Sequence, residues 1–324
     1  DFDRPWRPSS VRDFRRLVIE RGIELIDTHV TRDAKVAATC LDLCAVVRTR
    51  HVNQPLKPSA IRRMQWRLGA DHIVTVAECT RHALVADGLA DARRSTAIGG
   101  WAVEPFFDAP PPPTERARAR AALGIAADAF LWLCVGMIRP DKGHDHLMAA
   151  IERLVAAGAH PVLAVVGAAT AESAAFEQAL RARAAGLEGR VVFTGYREDV
   201  AALMALADAV VIPSLTEAQP RVAVQAFAAG RPVVASAVGG VPEIVVPGET
   251  GWLVPPADPE ALAAAMAEVM RASEQARAVG ARARALAEST MRFDHRMAQT
   301  LDTYRAALAH ARRRSFPRFR GNGP

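Results

Sequence analysis

Ala209-Val210-Val211-Ile212-Pro213-Ser214-Leu215-Thr216-Glu217-Ala218-Gln219-Pro220-Arg221-Val222-Ala223-Val224-Gln225-Ala226-Phe227-Ala228-Ala229-Gly230 runs directly into Arg231-Pro232-Val233-Val234-Ala235. The first four residues are apolar without alternation, as a strand covered on both faces must be. Pro213 ends that strand, and a polar loop follows. A helix is expected to start near Pro220 and to stop at Gly230, since proline suits a first turn and glycine a C-terminal cap. Val233 then opens a second buried strand. Strand, loop, helix, strand is the unit of a parallel α/β sheet.

The same grammar extends in both directions. Short Val-, Ile- and Leu-rich runs at 131–135, 162–166 and 191–194 join those at 209–212 and 233–235. Helical stripes lie among them, with Leu147, Ile151, Leu154 and Val155 in one and Leu262, Met266, Val269 and Met270 in another. The latter has a clear start, with Asp258 as cap and Pro259 in the first position. Five repeats predict a doubly wound α/β domain.

The first hundred residues repeat the pattern more faintly. Val11, Phe14, Leu17 and Val18 mark a helix, and strand-like runs follow at 24–27, 45–49, 72–76 and 95–98, with helical stretches at 35–44 and 80–87. Pro110-Pro111-Pro112-Pro113 can neither extend a helix nor donate to a ladder, so 108–114 reads as a stiff linker. The expected plan is a first Rossmann-like domain over 1–107, a second over 108–292, and a final helix within 293–324. That helix would show Met297, Leu301, Tyr304 and Leu308 on one face, pack back towards the first domain, and end in a basic tail. Opening on a helix with no strand before it predicts that the first domain is incomplete. Two such domains with a hinge imply a cleft lined by the carboxyl ends of their strands.

The loop at 213–220 carries chemistry. The amino end of the following helix offers unpaired N–H groups and a positive dipole end, which suits a phosphate or a sugar hydroxyl. Arg221 and Gln225 are four apart and share a face. This stretch resembles the signature of glycosyltransferase family 4, retaining enzymes of GT-B fold. In that signature a Glu is followed eight residues later by a second Glu, an Ala-rich turn and a Gly-Arg-Pro-Val-Val strand. The resemblance implies that Glu217 lies by the donor sugar and that Gln225, in place of the second acid, meets the ribose hydroxyls. An amide can bond a diol, but without charge assistance.

Other segments fall in order. Val135-Gly136-Met137-Ile138-Arg139-Pro140-Asp141-Lys142-Gly143-His144 resembles the family's diphosphate turn, with Met137 where a basic residue is usual, so Gly136, Arg139 and Lys142 become donor-binding candidates. Phe193-Thr194-Gly195-Tyr196 resembles the nucleobase loop, and Gly195 and Tyr196 are candidates there. Val238-Gly239-Gly240-Val241-Pro242-Glu243-Ile244-Val245 and Gly248-Glu249-Thr250-Gly251-Trp252-Leu253-Val254 complete the match over the second domain. In the first, Val47-Arg48-Thr49-Arg50-His51-Val52 resembles the strand end that presents a catalytic His, here His51. Asp27-Thr28-His29 and Thr75-Val76-Ala77-Glu78-Cys79-Thr80-Arg81 fit the same order, with His29 and Arg50 on the acceptor side. His144 and His146 read as residues decorating a helix start. The branch most like this chain modifies lipopolysaccharide core and similar envelope glycans.

The resemblance implies transfer of a hexose or heptose from a nucleotide-diphosphate sugar, most simply UDP-linked, to a glycan or glycolipid, with retention. No cofactor beyond the donor is implied. Lys142 and helix-end N–H groups would carry the leaving group's charge without a metal ion, and the one Asp-x-Asp, Asp1-Phe2-Asp3, stands at the very start of the chain. Three rivals remain open: a non-catalytic nucleotide-sugar-binding protein or inactive fragment, an epimerase of the same fold, and a Rossmann dehydrogenase. The last is disfavoured because no Gly-x-Gly-x-x-Gly opens a strand–helix turn.

Composition excludes more than it selects. The chain has 324 residues, half of them hydrophobic, enough for two domains. It has no apolar run long enough to span a membrane. The net charge of +6 is carried mostly by arginine. Basic residues do not interleave with aromatics as in single-strand binders, so nucleic acid is excluded as a partner. The tail from Arg312-Arg313-Arg314 through Arg318 and Arg320 is the candidate for peripheral contact with an anionic membrane. Cys40 and Cys44 sit one turn apart with no further ligands at metal spacing, and with Cys79 and Cys134 they fit buried thiols in a reducing cytoplasm.

Overall fold

A computed structural model describes residues 8–187 and 189–313. The chain forms two units. One holds the described residues up to Gly99 and those from Asp294 onward, and the other is Gly100–Phe293.

The first unit alternates α1 (Pro8–Glu20), β1 (Leu25–Thr28), α2 (Thr31–Ala37), β2 (Ala45–Arg50), α3 (Ala60–Leu68), β3 (His72–Thr75), α4 (Glu78–Ala86) and β4 (Ser95–Ala97). Its four strands are all parallel and lie in chain order, β1-β2-β3-β4. Each apolar run of the sequence is thus a strand, within a residue or two. The stretch expected as one helix over 35–44 breaks at Ala37, where the Thr39 hydroxyl bonds the Val36 carbonyl and the chain tightens into a 3₁₀ turn at Ala38–Cys40.

The C-terminal helix, Phe293–Arg313, covers one face of this sheet. Its Ala307 and Ala311 pack with Ala45, Val47, Val74 and Ile98, and Tyr304 and Leu308 flank them. Met297 and Leu301, expected on the same face, are 37% and 43% exposed. Small alanines, not the large apolar residues, set the contact because they let the helix lie close to the sheet. The other face is covered by Trp66, Leu84 and Leu89.

The second unit contains α5 (Pro113–Ala122), β5 (Phe130–Val135), α6 (His144–Ala156), β6 (Pro161–Val166), α7 (Ala174–Ala184), β7 (Val191–Gly195), α8 (Val200–Leu206), β8 (Ala209–Ile212), α9 (Arg221–Ala228), β9 (Val233–Ser236), β10 (Trp252–Val254), α10 (Pro259–Arg271) and α11 (Ser273–Thr290). Its six parallel strands are ordered β10-β9-β8-β5-β6-β7. The winding therefore reverses between β5 and β8, and the loops after those two strands meet at a topological switch point. As expected, the Asp258 carboxylate caps α10 by accepting the Ala261 N–H at 2.9 Å. Two parallel-sheet α/β units of this kind make a GT-B type fold.

Two boundaries differ from the sequence reading. The chain passes between units at Gly99–Gly100, not at the prolines. Phe106 and Phe107 are buried in the second unit's core with Leu131, Leu203 and Phe227, and the Ala102 N–H bonds the Met291 carbonyl at 3.0 Å. Residues 100–107 are thereby committed to the second unit. Pro113 opens α5, a position where its missing N–H costs nothing. At the far end Phe293 stays with the second unit, edge-on to Trp101.

Candidate functional site

The loops after β5 and β8 are bound to each other. Leu215 N–H donates to the Asp141 carbonyl at 2.9 Å. Gly143 lies so close to Pro213 that a Cβ there would sit 1.9 Å from the Pro213 carbonyl oxygen, and its φ is +69°. Only glycine fits. The Gly240 N–H donates to the Ala218 carbonyl at 2.7 Å, which ties the Val238–Val241 turn to the same loop. Three of the segments quoted from the sequence are therefore one assembly.

At its centre, Lys142 Nζ donates to Glu217 Oε1 at 2.6 Å, and Ser214 Oγ donates to the same oxygen at 2.9 Å. The Glu217 side chain is 13% exposed and that of Lys142 25%. Such a part-buried, charge-assisted pair is short and fixes both side chains. It sets a cation suited to a phosphate oxygen beside a carboxylate suited to a sugar hydroxyl or to positive charge at an anomeric carbon.

The pair lines a cavity of about 840 Å³, together with Gly136, Tyr196, Arg221 and Gln225. Pro220 precedes α9, whose first turn has no side-chain cap among the described residues, so its N–H groups remain available to a ligand. Tyr196 is 75% exposed, a ring with one face free for stacking. Cys134 also lines the cavity, but burial pushes its thiol up to about 12, which makes it inert as a nucleophile.

Two sequence candidates lie outside this lining. Arg139 donates to Asp141 Oδ1 at 2.9 Å, and Gly195 accepts the Gly167 N–H through its carbonyl at 2.9 Å. His144 stands at the helix start as expected, as the first residue of α6, but it is 3% exposed and lines the cavity. Burial lowers its pKa, so it is neutral at pH 7. Ser214, which anchors Glu217, is a site residue that the sequence reading did not predict. Its position three residues before the acid is the only signal the sequence carried.

The first unit gathers its candidates at the ends of β1 and β2. His29 Nδ1 and His51 Nε2 are 2.8 Å apart, with the rings stacked at 5.1 Å between centroids. Asp27 stands behind them, its Oδ2 3.6 Å from His29 Nε2. Asp27 is itself held by the Thr49 hydroxyl at 2.9 Å and the Tyr304 hydroxyl at 2.7 Å. Burial, reinforced by His29, lowers the His51 pKa, while Asp27 opposes this. Burial and the bond to Asp27 raise that of Tyr304. Arg50, the third candidate, is 8% exposed and bonds the Gln54 carbonyl.

Residues 129–272 match the family model described as "Glycosyl transferases group 1". That matched stretch lies within the second unit. The chain is 37% identical over 211 residues to a D-inositol 3-phosphate glycosyltransferase of Streptomyces griseus, a match covering 63% of this chain and 44% of that protein. It thus spans about half the length of the curated relatives it matches. Anabaena Alr3699/HepE, solved in complex with UDP, is similar over 92% of this chain and 82% of its own, with a TM-score of 0.81 and 22% identity. Sucrose-phosphate synthase from Thermosynechococcus elongatus is similar over 93% and 78%, with a TM-score of 0.78 and 26% identity. The matched stretch contains the Lys142–Glu217 pair and, apart from Val103 and Phe106, the residues that line its cavity.

Asp1-Phe2-Asp3 and the tail arginines Arg314, Arg318 and Arg320 lie outside the described residues. Among the described residues no helix is long and apolar enough to cross a membrane, and no group of three His, Cys, Asp or Glu residues could hold a metal ion. Cys40 and Cys44 are buried against Val18.

Proposed function

We propose that this chain moves a hexose or heptose from a nucleotide-diphosphate sugar, UDP-linked, to a glycan or glycolipid of the cell envelope, the lipopolysaccharide core being one such acceptor. The observation that carries this reading is the Lys142–Glu217 pair, which lines a cavity large enough for a nucleotide beside the uncapped start of α9. In the reaction the bond from the anomeric carbon to the diphosphate oxygen breaks, the nucleoside diphosphate leaves with the electron pair, the acceptor hydroxyl oxygen bonds the anomeric carbon, and the hydroxyl proton passes to His51. Lys142 and the α9 N–H groups stabilise the charge that builds on it. Gln225 meets the ribose hydroxyls, Tyr196 the base, and Glu217 the donor sugar. His51, neutral and set against His29, faces the acceptor hydroxyl.

In this reading the Lys142 cation and the helix end do the work that a divalent ion does elsewhere, so no metal is required. Retention rests on the family resemblance, and the envelope acceptor on its branch. The enzyme would work in the cytoplasm, touching the anionic inner face of the membrane from its basic end.

The test is the melting temperature with UDP, ADP and GDP, each with and without EDTA. A ligand at 100 times its Kd adds about 2.7 kcal/mol to the stability of the folded state. A shift with UDP alone, unaffected by EDTA, supports the reading. No shift with any of the three removes it.

A further inference from the structure

A second cavity, of about 420 Å³, lies within the first unit between α2, α3 and β2. Arg48 projects from the middle of β2 on the face opposite the one packed by the C-terminal helix, and it is 8% exposed. Its guanidinium lies 3.4 Å over the Trp66 ring. It forms no ion pair and no hydrogen bond with any described residue. Lys35 and Arg62 line the same cavity with Gln65, and no carboxylate is among the described residues that do.

This arrangement is unbalanced. Stacking on Trp66 satisfies the guanidinium's face but leaves its five N–H donors, which point outward in the ring plane, without acceptors. A buried cation without a counter-charge is costly, and structures normally pair it. Burial and the neighbouring Arg50 lower the Arg48 pKa to about 10, yet at pH 7 it is still charged. Elsewhere in the chain a buried arginine is paired in the usual way: Arg120, 2% exposed, bonds Asp208 and three carbonyls. The contrast singles out Arg48 as waiting for an anion. Apart from these cations and the polar Thr31 and Gln65, the wall is apolar, and Met64 and Leu68 extend it outward at 56% and 67% exposure.

We propose that this cavity binds a phosphomonoester or phosphodiester group carried on an apolar stem, with Arg48 as the bidentate ligand and Lys35 and Arg62 at its rim. The site lies in a different unit from the donor cavity and does not rest on the reading given for it. The phosphate can belong to a free small molecule or to a lipid headgroup, and the chemistry of recognition is the same.

The experiment is calorimetric titration of the whole chain with glycerol 3-phosphate, alongside co-sedimentation with vesicles of phosphatidic acid in phosphatidylcholine and of phosphatidylcholine alone. Arg48→Gln and Arg48→Lys are measured beside the unaltered protein, with the UDP-induced melting shift as a check that each is folded. Saturable binding that weakens at least about tenfold in Arg48→Gln supports the site, since a charge-assisted bidentate contact is lost. Arg48→Lys keeps the charge but not the fork, and falls between the two. Binding to glycerol 3-phosphate assigns a free phosphoester. Binding only to phosphatidic acid vesicles, lost in Arg48→Gln, assigns a headgroup. No saturable binding in either arm overturns the proposal, as does binding that Arg48→Gln and Arg48→Lys leave unchanged. Loss of the UDP shift in the unaltered protein would sink the donor reading alone.

Discussion

His29 Nδ1 and His51 Nε2 lie 2.8 Å apart, so one ring must donate and the other accept, and the two cannot both be protonated at those atoms. Asp27 steadies His29 from behind and is steadied in turn by Tyr304, 277 residues further along the chain. The pair therefore shares a proton whose position is biased by one carboxylate. If His51 serves the acceptor hydroxyl, His51→Asn should lower kcat by about 10²-fold or more, as loss of general acid–base help does. It should leave the UDP melting shift in place.

Asp27→Asn gives a signed test of the same relationship. The Asp27 charge raises the His51 pKa against burial and His29. Removing that charge lets the His51 pKa fall further, so the acid limb of the kcat profile should move to lower pH. Tyr304→Phe removes a donor to Asp27 but no charge, and should move the limb less. A limb that stays put in Asp27→Asn would mean that His51 does not set it.

On the reading proposed above, in which Lys142 holds the leaving oxygens, Lys142→Ala should cost roughly 2–4 kcal/mol of transition-state stabilisation, seen as a fall in kcat/KM of about 10²–10³-fold. Glu217→Gln should keep the Ser214 contact and UDP binding but lower turnover. Measuring both variants separates the diphosphate role from the sugar role. Equal losses of UDP binding in the two would contradict the assignment.

Much of this was legible before any coordinates. Non-alternating apolar runs gave nine of the ten strands nearly to the residue, because strands buried on both faces leave that mark. β10 escaped as a strand since it is only three residues long, and the Gly248–Leu253 motif around it is mainly structural. There Thr250 Oγ1 bonds the Ile244 carbonyl, and a Cβ on Gly251 would meet the Val233 carbonyl at 2.5 Å. Glu217, Arg221 and Gln225 could be grouped from the sequence because loop and helix start are adjacent in it. Asp27 and Tyr304 were not, because nothing local reports a hydrogen bond between a strand end and the last helix. The boundary at Gly99 was missed for a similar reason: Phe106 and Phe107 look like any apolar pair until the core they enter is known.

The join between the loops after β5 and β8 predicts a sharp contrast among glycines. Gly143→Ala forces a Cβ to 1.9 Å from the Pro213 carbonyl at φ +69°. It should destabilise the second unit by more than the roughly 1 kcal/mol of a strained backbone alone, and loosen UDP binding as the loops part. Gly248 has φ +75° with nothing within 4 Å of a Cβ, so Gly248→Ala should show only the backbone cost. Chemical denaturation of both variants checks the difference. Equal losses would mean that the loop contact is not tight.

Acid should weaken the first unit through His72. Its imidazole is buried in β3 with Nε2 2.9 Å from Thr96 Oγ1. Burial first, then the nearby Arg94 and His310, lowers its pKa from 6.5 to about 4. The unfolded chain therefore takes up a proton at pH values where the folded chain does not. The stability linked to this group is complete above pH 6.5 and is lost as pH falls towards 4, to a total of up to roughly 3 kcal/mol. At pH 5 the loss is about 2 kcal/mol, which is several degrees of melting temperature. His72→Gln keeps a neutral partner for Thr96 and cannot titrate. Its melting temperature should fall less between pH 7 and pH 5 than that of the unaltered protein, although carboxylates such as Asp208 titrate in both. Parallel pH profiles for the two proteins would show that His72 is charged in the folded state, and that the burial seen around it is not maintained in solution.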